Sequence, residues 1–255
     1  MTWRVPPFDR AVAEIEAYIR ATWQPIGVVV AGSIVRGEGG PMSDLDVMII
    51  HEEPWRLREQ RRFAGVPAEL FVNPPAQIRR YFGPQHAEGR PSTAHMLATG
   101  ERLELPAGPP HPVVTELIRE AHDWMSRPVE LTPAQLAGER YGPVDLIDDA
   151  RDAIDDDPAA AQLLLASAVS DIIGYAFVRR GEFRPRRKRA VAALAALDPA
   201  AGELARRWSS QPGRAALATV EQLARHVLGV DTFFDWSSGR DPVSLDTPPP
   251  SPPEA

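Results

Sequence analysis

Apolar positions along the chain fall into two regimes. Over residues 9–22, Val12, Ile15, Tyr18 and Ile19 recur at helical spacing, with Asp9 as a candidate cap. Short, nearly continuous apolar runs follow at 26–31, 44–50 and 68–72, each bounded by glycine, proline or polar residues, and they predict three strands. The charged stretch 54–62 shows no strand period and predicts a short helix or loop. Segments 75–83 and 90–100 predict short helices that open near a proline and end at glycine.

Beyond residue 112 the pattern is helical throughout. Helices are predicted over 113–125, 133–156, 159–180, 185–197, 200–208 and 212–228, most of them opening just after a proline. Short connections between successive amphipathic helices imply an antiparallel bundle. The composition shift at "PAGPPHP" (106–112) predicts a boundary, with one domain over 1–106 and a helical bundle over 111–236. The proline-rich tail 241–255 has too few apolar residues to pack and is expected to be disordered.

Composition narrows the picture modestly. With 255 residues, 44% apolar and 25% charged, the chain can build one large core or two modest ones. A net charge of -7 argues against a general nucleic-acid binder. The absence of cysteine excludes disulfides, thiol nucleophiles and cysteine zinc sites. The N-terminus lacks a signal-peptide core, and no run approaches the roughly 18 apolar residues of a membrane span, so a cytoplasmic location is expected.

Chemistry concentrates in "GSIVRGEGGPMSDLDVMII", residues 32–50. Asp44 and Asp46 lie two apart in a predicted strand, so their carboxylates share one face. Burying them unpaired would cost several kcal/mol, roughly, which calls for a cation. Paired hard oxygen ligands of this kind suit Mg²⁺ together with phosphate oxygens. Glu69, an acid in the otherwise apolar "AELFV", completes a three-carboxylate cluster if its strand lies alongside. Gly32 allows close approach of a phosphate to the main chain, and a short helix starting at Ser33 would direct its dipole at that anion.

Gly32-Ser33, ten intervening residues and Asp44-Leu45-Asp46 between apolar runs, with Glu69 on a following strand, resemble the signature of the DNA-polymerase-beta-like nucleotidyltransferase superfamily. The succession of domains resembles the aminoglycoside nucleotidyltransferases, in which a helical domain follows the catalytic one. The resemblance implies an α+β fold, a small mixed-sheet nucleotidyltransferase domain followed by an α-helical bundle. It also implies transfer of a nucleoside monophosphate, with ATP as co-substrate, to a hydroxyl of a small acceptor, with a cationic aminoglycoside as the leading example. Asp44, Asp46 and Glu69 would be the catalytic and metal-binding residues for two Mg²⁺ ions, with Glu69 deprotonating the acceptor. Gly32, Ser33 and Arg36 would hold the phosphates. A homo-oligomer fits the same family. The competing reading is an antitoxin-like regulatory protein that modifies or binds a partner protein.

Two charge runs add expectations. "RRGEFRPRRKR" (179–189) reads mainly as a solvated connection, with Lys188 as a candidate contact to the triphosphate. Asp145, Asp148, Asp149 and Asp152 share one helical face, either simply solvated or a site for a polycationic acceptor. His95, His122 and His226 sit in helical patterns and read as structural.

Overall fold

The computed structural model describes residues 7–40 and 42–240. The tail at 241–255, expected to be disordered, lies outside the described residues. The chain divides into two compact units, Met1–Val129 and Glu130–Ala255.

The first unit contains α1 (Phe8–Thr22), β1 (Gly27–Ala31), β2 (Leu45–Ile50), β3 (Leu57–Phe63), β4 (Val66–Asn73), α2 (Pro75–Ala87), α3 (Ser92–Thr99), β5 (Glu101–Leu103) and α4 (Pro112–Ser126). Its five strands form one sheet in the order β3-β4-β2-β1-β5. The β2–β4 pair is parallel and the other pairs are antiparallel, so the sheet is mixed. On one face Val28, Val30, Val47, Ile49 and Leu70 pack with Val12, Ile15 and Ile19 of α1. On the other, Val29, Met48 and Ile50 pack with Ile78 and Phe82 of α2, Leu97 of α3 and Leu117 of α4. Burial on both faces explains why β1 and β2 read as continuous apolar runs rather than alternating ones. Asp9 lies in the first turn of α1 but makes no capping hydrogen bond; Pro7 holds the N-cap position.

Strand β3 corrects the helix or loop expected over 54–62. It is an edge strand, exposed along most of its length, and its pairing partner lies on one side only. Charged side chains on such an edge discourage pairing with another chain, and they also erase the apolar period. Ala64 and Gly65, with φ of 47° and 83°, close the β3–β4 hairpin in the left-handed geometry that two-residue turns favour.

Helix α4 packs with the sheet unit, so the compact units divide after Val129 rather than at the proline-rich stretch 106–112. Its Val114, Leu117 and Ala121 are fully buried in that unit's core. Gly27 admits it: a Cβ there would lie 2.6 Å from a methyl of Val114.

The second unit holds α5 (Pro133–Ala153), α6 (Pro158–Val178), α7 (Ala190–Leu197), α8 (Pro199–Arg207) and α9 (Gly213–Leu228), with single 3₁₀ turns at 187–189 and 208–210. Starts are well specified. Thr132 and Gln135 form a reciprocal capping box on α5, while Asp157 and Asp198 cap α6 and α8, each with proline at the next position. The helix expected over 185–197 begins regularly only at Ala190. α6 also corrects the expectation that no apolar run is long enough to span a membrane. By length and composition alone it qualifies, but 61% of its apolar window is buried inside the protein. Ile172 to Val178 are all buried because α6 forms the centre of this unit's core, against α5 and α9.

Asp198 links two helices: its carboxylate accepts from the Ala201 amide at 3.0 Å and lies 2.9 Å from His226 Nε2 on α9. The Ala201 amide, then His226, hold this carboxyl below its usual value of 3.8. A depressed folded value contributes stability above the unfolded pKa, and the contribution is lost as pH falls through the folded one. Asp198→Ala is expected to cost about 1 kcal/mol near neutral pH. Thermal melts of both proteins between pH 7 and pH 3 should show the gap closing below about pH 4.

Candidate active site

The parallel register between β2 and β4 puts Asp46 directly opposite Glu69. The row continues outward to Gln60 on β3 and inward to Ala31 on β1. Asp44, two residues before Asp46, lies just ahead of β2. One carboxylate oxygen from each of Asp44, Asp46 and Glu69 lies within 4.8 Å of the others, with Asp44 exposed and the other two partly buried. Opposite ligands of an octahedral Mg²⁺ stand about 4 Å apart, so three hard oxygens gathered this closely fit such an ion with little adjustment.

The loop after β1 meets the acids from the other side. Gly32 has φ +107°, and a Cβ on it would lie 3.2 Å from both Asp46 Oδ2 and the Asp44 carbonyl oxygen. Only glycine allows this backbone to run so close beneath the carboxylates. Ser33 is buried, and its hydroxyl donates to Ser43 Oγ at 3.0 Å, which also accepts from the Gly40 amide at 2.9 Å. The pair ties the two ends of the loop together and leaves one hydroxyl proton to offer a ligand. Residues 33–37 form turns rather than the short helix expected there; the Glu38 amide bonds the Ser33 carbonyl at 2.8 Å. Hydrogen bonds across this loop replace the helical ladder, so phosphate binding would rest on backbone amides and the hydroxyl pair instead of a helix dipole.

Arg36 lies in this loop, 3.4 Å from the Glu38 carboxylate. Its Nη1 is buried without a hydrogen-bond partner among the described residues. Lys188 lies exposed in the second unit on the 3₁₀ turn at 187–189. The first part of the same basic run is structural: Arg179 donates to the Val227 carbonyl, and Arg184 pairs with Glu139 at 2.6 Å. A Cβ on Gly174 would come within 2.5 Å of the Arg184 guanidinium. Two of the four acids on the α5 face have partners within the protein, while Asp149 and Asp152 are exposed. Asp148 pairs with Arg151 and accepts from Thr232 and the Phe233 amide, and Tyr141 donates to Asp145. His95 lies 3.2 Å from Thr99 Oγ1, and His122 is exposed.

Three residues at the site escaped sequence reasoning. Ser43 stands next to Asp44 and could have been noticed for that reason alone. Arg58 and Gln60 lie on β3, which was not recognised as a strand. Arg58 forms an ion pair with Glu69, and this contact raises the arginine above its usual value, with Asp46 adding to the effect. A cavity of about 460 Å³ opens beside the cluster, its wall including Asp44, Glu69, Gln60 and Arg62.

Gly32→Ala forces a side chain into left-handed backbone and against Asp46, a strain of about 1–3 kcal/mol. The expected outcome is a melting temperature lower by several degrees and weakened Mn²⁺ binding in a titration followed by electron paramagnetic resonance. Retention of wild-type Mn²⁺ affinity would show that the loop does not set the acid geometry.

No curated protein matches this sequence. Among solved structures the chain is similar to a nucleotidyltransferase-like protein from Exiguobacterium sibiricum 255-15, with 13% identity and a TM-score of 0.49 over 86% of this chain and 75% of that one. Residues 12–86, a segment that includes Gly32, Ser33, Asp44, Arg58 and Glu69, match the family model of the nucleotidyltransferase domain, which supports nucleotidyl transfer as the general activity.

Proposed function

We propose that the protein transfers AMP from ATP to a hydroxyl of a small acceptor. The observation that carries this reading is the convergence of Asp44, Asp46 and Glu69 beside the Gly32 loop, within the segment that matches the nucleotidyltransferase domain. Two Mg²⁺ ions held by these carboxylates would supply charge stabilisation at the α-phosphorus and at the departing oxygen. Backbone amides of the Gly32 loop and the free proton of the Ser33–Ser43 pair hold the β- and γ-phosphates, with Arg36 adding charge from the same loop. Glu69 accepts the proton of the acceptor hydroxyl. The acceptor oxygen then bonds to the α-phosphorus, the bond to the bridging oxygen breaks, and pyrophosphate leaves. The cavity beside Glu69 is the entry for the acceptor.

Aminoglycosides are the first acceptor class to test, on the strength of the family resemblance. The acidic face of α5 adds little to that choice, since Asp145 and Asp148 are engaged within the protein.

The test uses ATP labelled at the α-phosphate, Mg²⁺ and a panel of hydroxylated small molecules that includes aminoglycosides. Label should join an acceptor with release of pyrophosphate, and a chelator should stop the reaction. Asp46→Asn is expected to lower transfer at least about 10³-fold. Its melting temperature should be unchanged or raised, because one of three clustered like charges is removed. Transfer at the wild-type rate by this variant would refute the assignment.

A further inference from the structure

We propose that Arg58 is a positioning residue for Glu69, fixing one carboxylate oxygen so that the other faces the chemistry, and that its charge restrains metal affinity. This rests on the nucleotidyltransferase reading above. The Arg58 Nε–H donates to Glu69 Oε1, and Gln60 Nε2 approaches the same oxygen at 3.5 Å, the outer limit of a hydrogen bond. Among the described residues no donor reaches Oε2. The two oxygens are therefore distinguished: one is tethered to the edge strand and one is left for an ion or an acceptor proton.

The tether has its own support. The Arg58 guanidinium stacks over Phe71, 5.2 Å from the ring centroid, and Phe71 is its cross-strand partner in the β3–β4 register. The Arg58 side chain is 67% exposed while that of Glu69 is 12% exposed. Ion pairs with one partner so exposed contribute little to folding. The contact therefore acts on the orientation of an acid and on the local field, and much less on stability. Without it, the long glutamate side chain would have more rotamers open to it. A fixed positive charge beside three carboxylates also relieves their mutual repulsion and opposes a divalent ion entering the cluster.

Charge and geometry separate in two variants. Arg58→Ala removes both, whereas Arg58→Lys keeps the charge and loses the planar, stacked donor. Mn²⁺ alone, titrated by electron paramagnetic resonance, reads the charge. Conversion of ATP to AMP, onto an acceptor or onto water, reads the orientation. The expected results are Mn²⁺ affinity about three- to tenfold tighter in Arg58→Ala and within twofold of wild type in Arg58→Lys. Turnover should fall at least tenfold in both, with melting temperatures close to wild type. Wild-type Mn²⁺ affinity in Arg58→Ala, or wild-type turnover in Arg58→Lys, overturns the proposal. If the unmodified protein itself fails to bind Mn²⁺, the metal reading of the site fails, and this inference with it.

Discussion

The register between β2 and β4 is the constraint on which the site depends. Asp46 and Glu69 are direct cross-strand neighbours, and like charges so placed repel. Nothing in that pair favours the alignment that holds it. The alignment comes from Val47, Ile49, Leu70 and Val72 packing with α1, and from Met48 and Ile50 packing with the helices on the other face. Sliding one strand by a single residue would reverse every side chain between two different cores. A sheet buried on both faces thus has a strongly specified register, and the acids gather where β2 begins, with Glu69 beside Asp46. The core imposes the arrangement; the acids occupy it at a cost that a divalent ion would offset.

Chemistry is then ordered along one line across the sheet. From β1 outward the row reads Ala31, Asp46, Glu69 and Gln60, with Gly32 just beyond Ala31 and Arg58 beside Gln60. The loop suited to phosphates lies at one end of the row and the edge-strand donors at the other. Along this row the β3 edge stands nearer to Glu69 than to Asp46. This order follows from strand connectivity. The loop leaves β1, returns as β2, and the β3–β4 hairpin adds its own edge next to β2.

Elements whose physics is local were legible in the sequence. The glycine-serine break, the paired aspartates and most helix starts at proline depend on near neighbours, and they stand where their residues suggest; the start expected at Pro185 is the exception, since α7 begins at Ala190. Glu69 was legible by exclusion, as an acid with no reason to sit among apolar residues. β3 was not legible, because an edge strand that faces solvent needs no apolar period and its turn is Ala64-Gly65 rather than a strong turn pair such as Asn-Gly. Losing β3 hid Arg58 and Gln60 as well. The allegiance of α4 was hidden for a different reason: its amphipathic face would suit either core, and its place follows from tertiary partners such as Gly27, Phe82, Leu97 and the Arg79–Glu120 pair.

Charge runs misled more than apolar ones, and the reason is general. A run of arginines or aspartates specifies charge but not direction, whereas partners are chosen by tertiary structure. Arg184 looks like one member of a basic surface cluster, yet it is mostly buried against Glu139 and needs Gly174 to fit. Asp148 looks like part of an acidic docking face, yet it anchors the chain at Thr232 and Phe233. Arg58 looks like an ordinary solvated charge in a polar stretch, yet it is paired with Glu69 of the acid cluster. The partner of a charge in this protein therefore follows from where the fold holds it rather than from how many stand together. Arg58 on the edge strand is paired with Glu69, whereas Arg179 and Arg184 of the seven-cation 179–189 run are held by the Val227 carbonyl and Glu139.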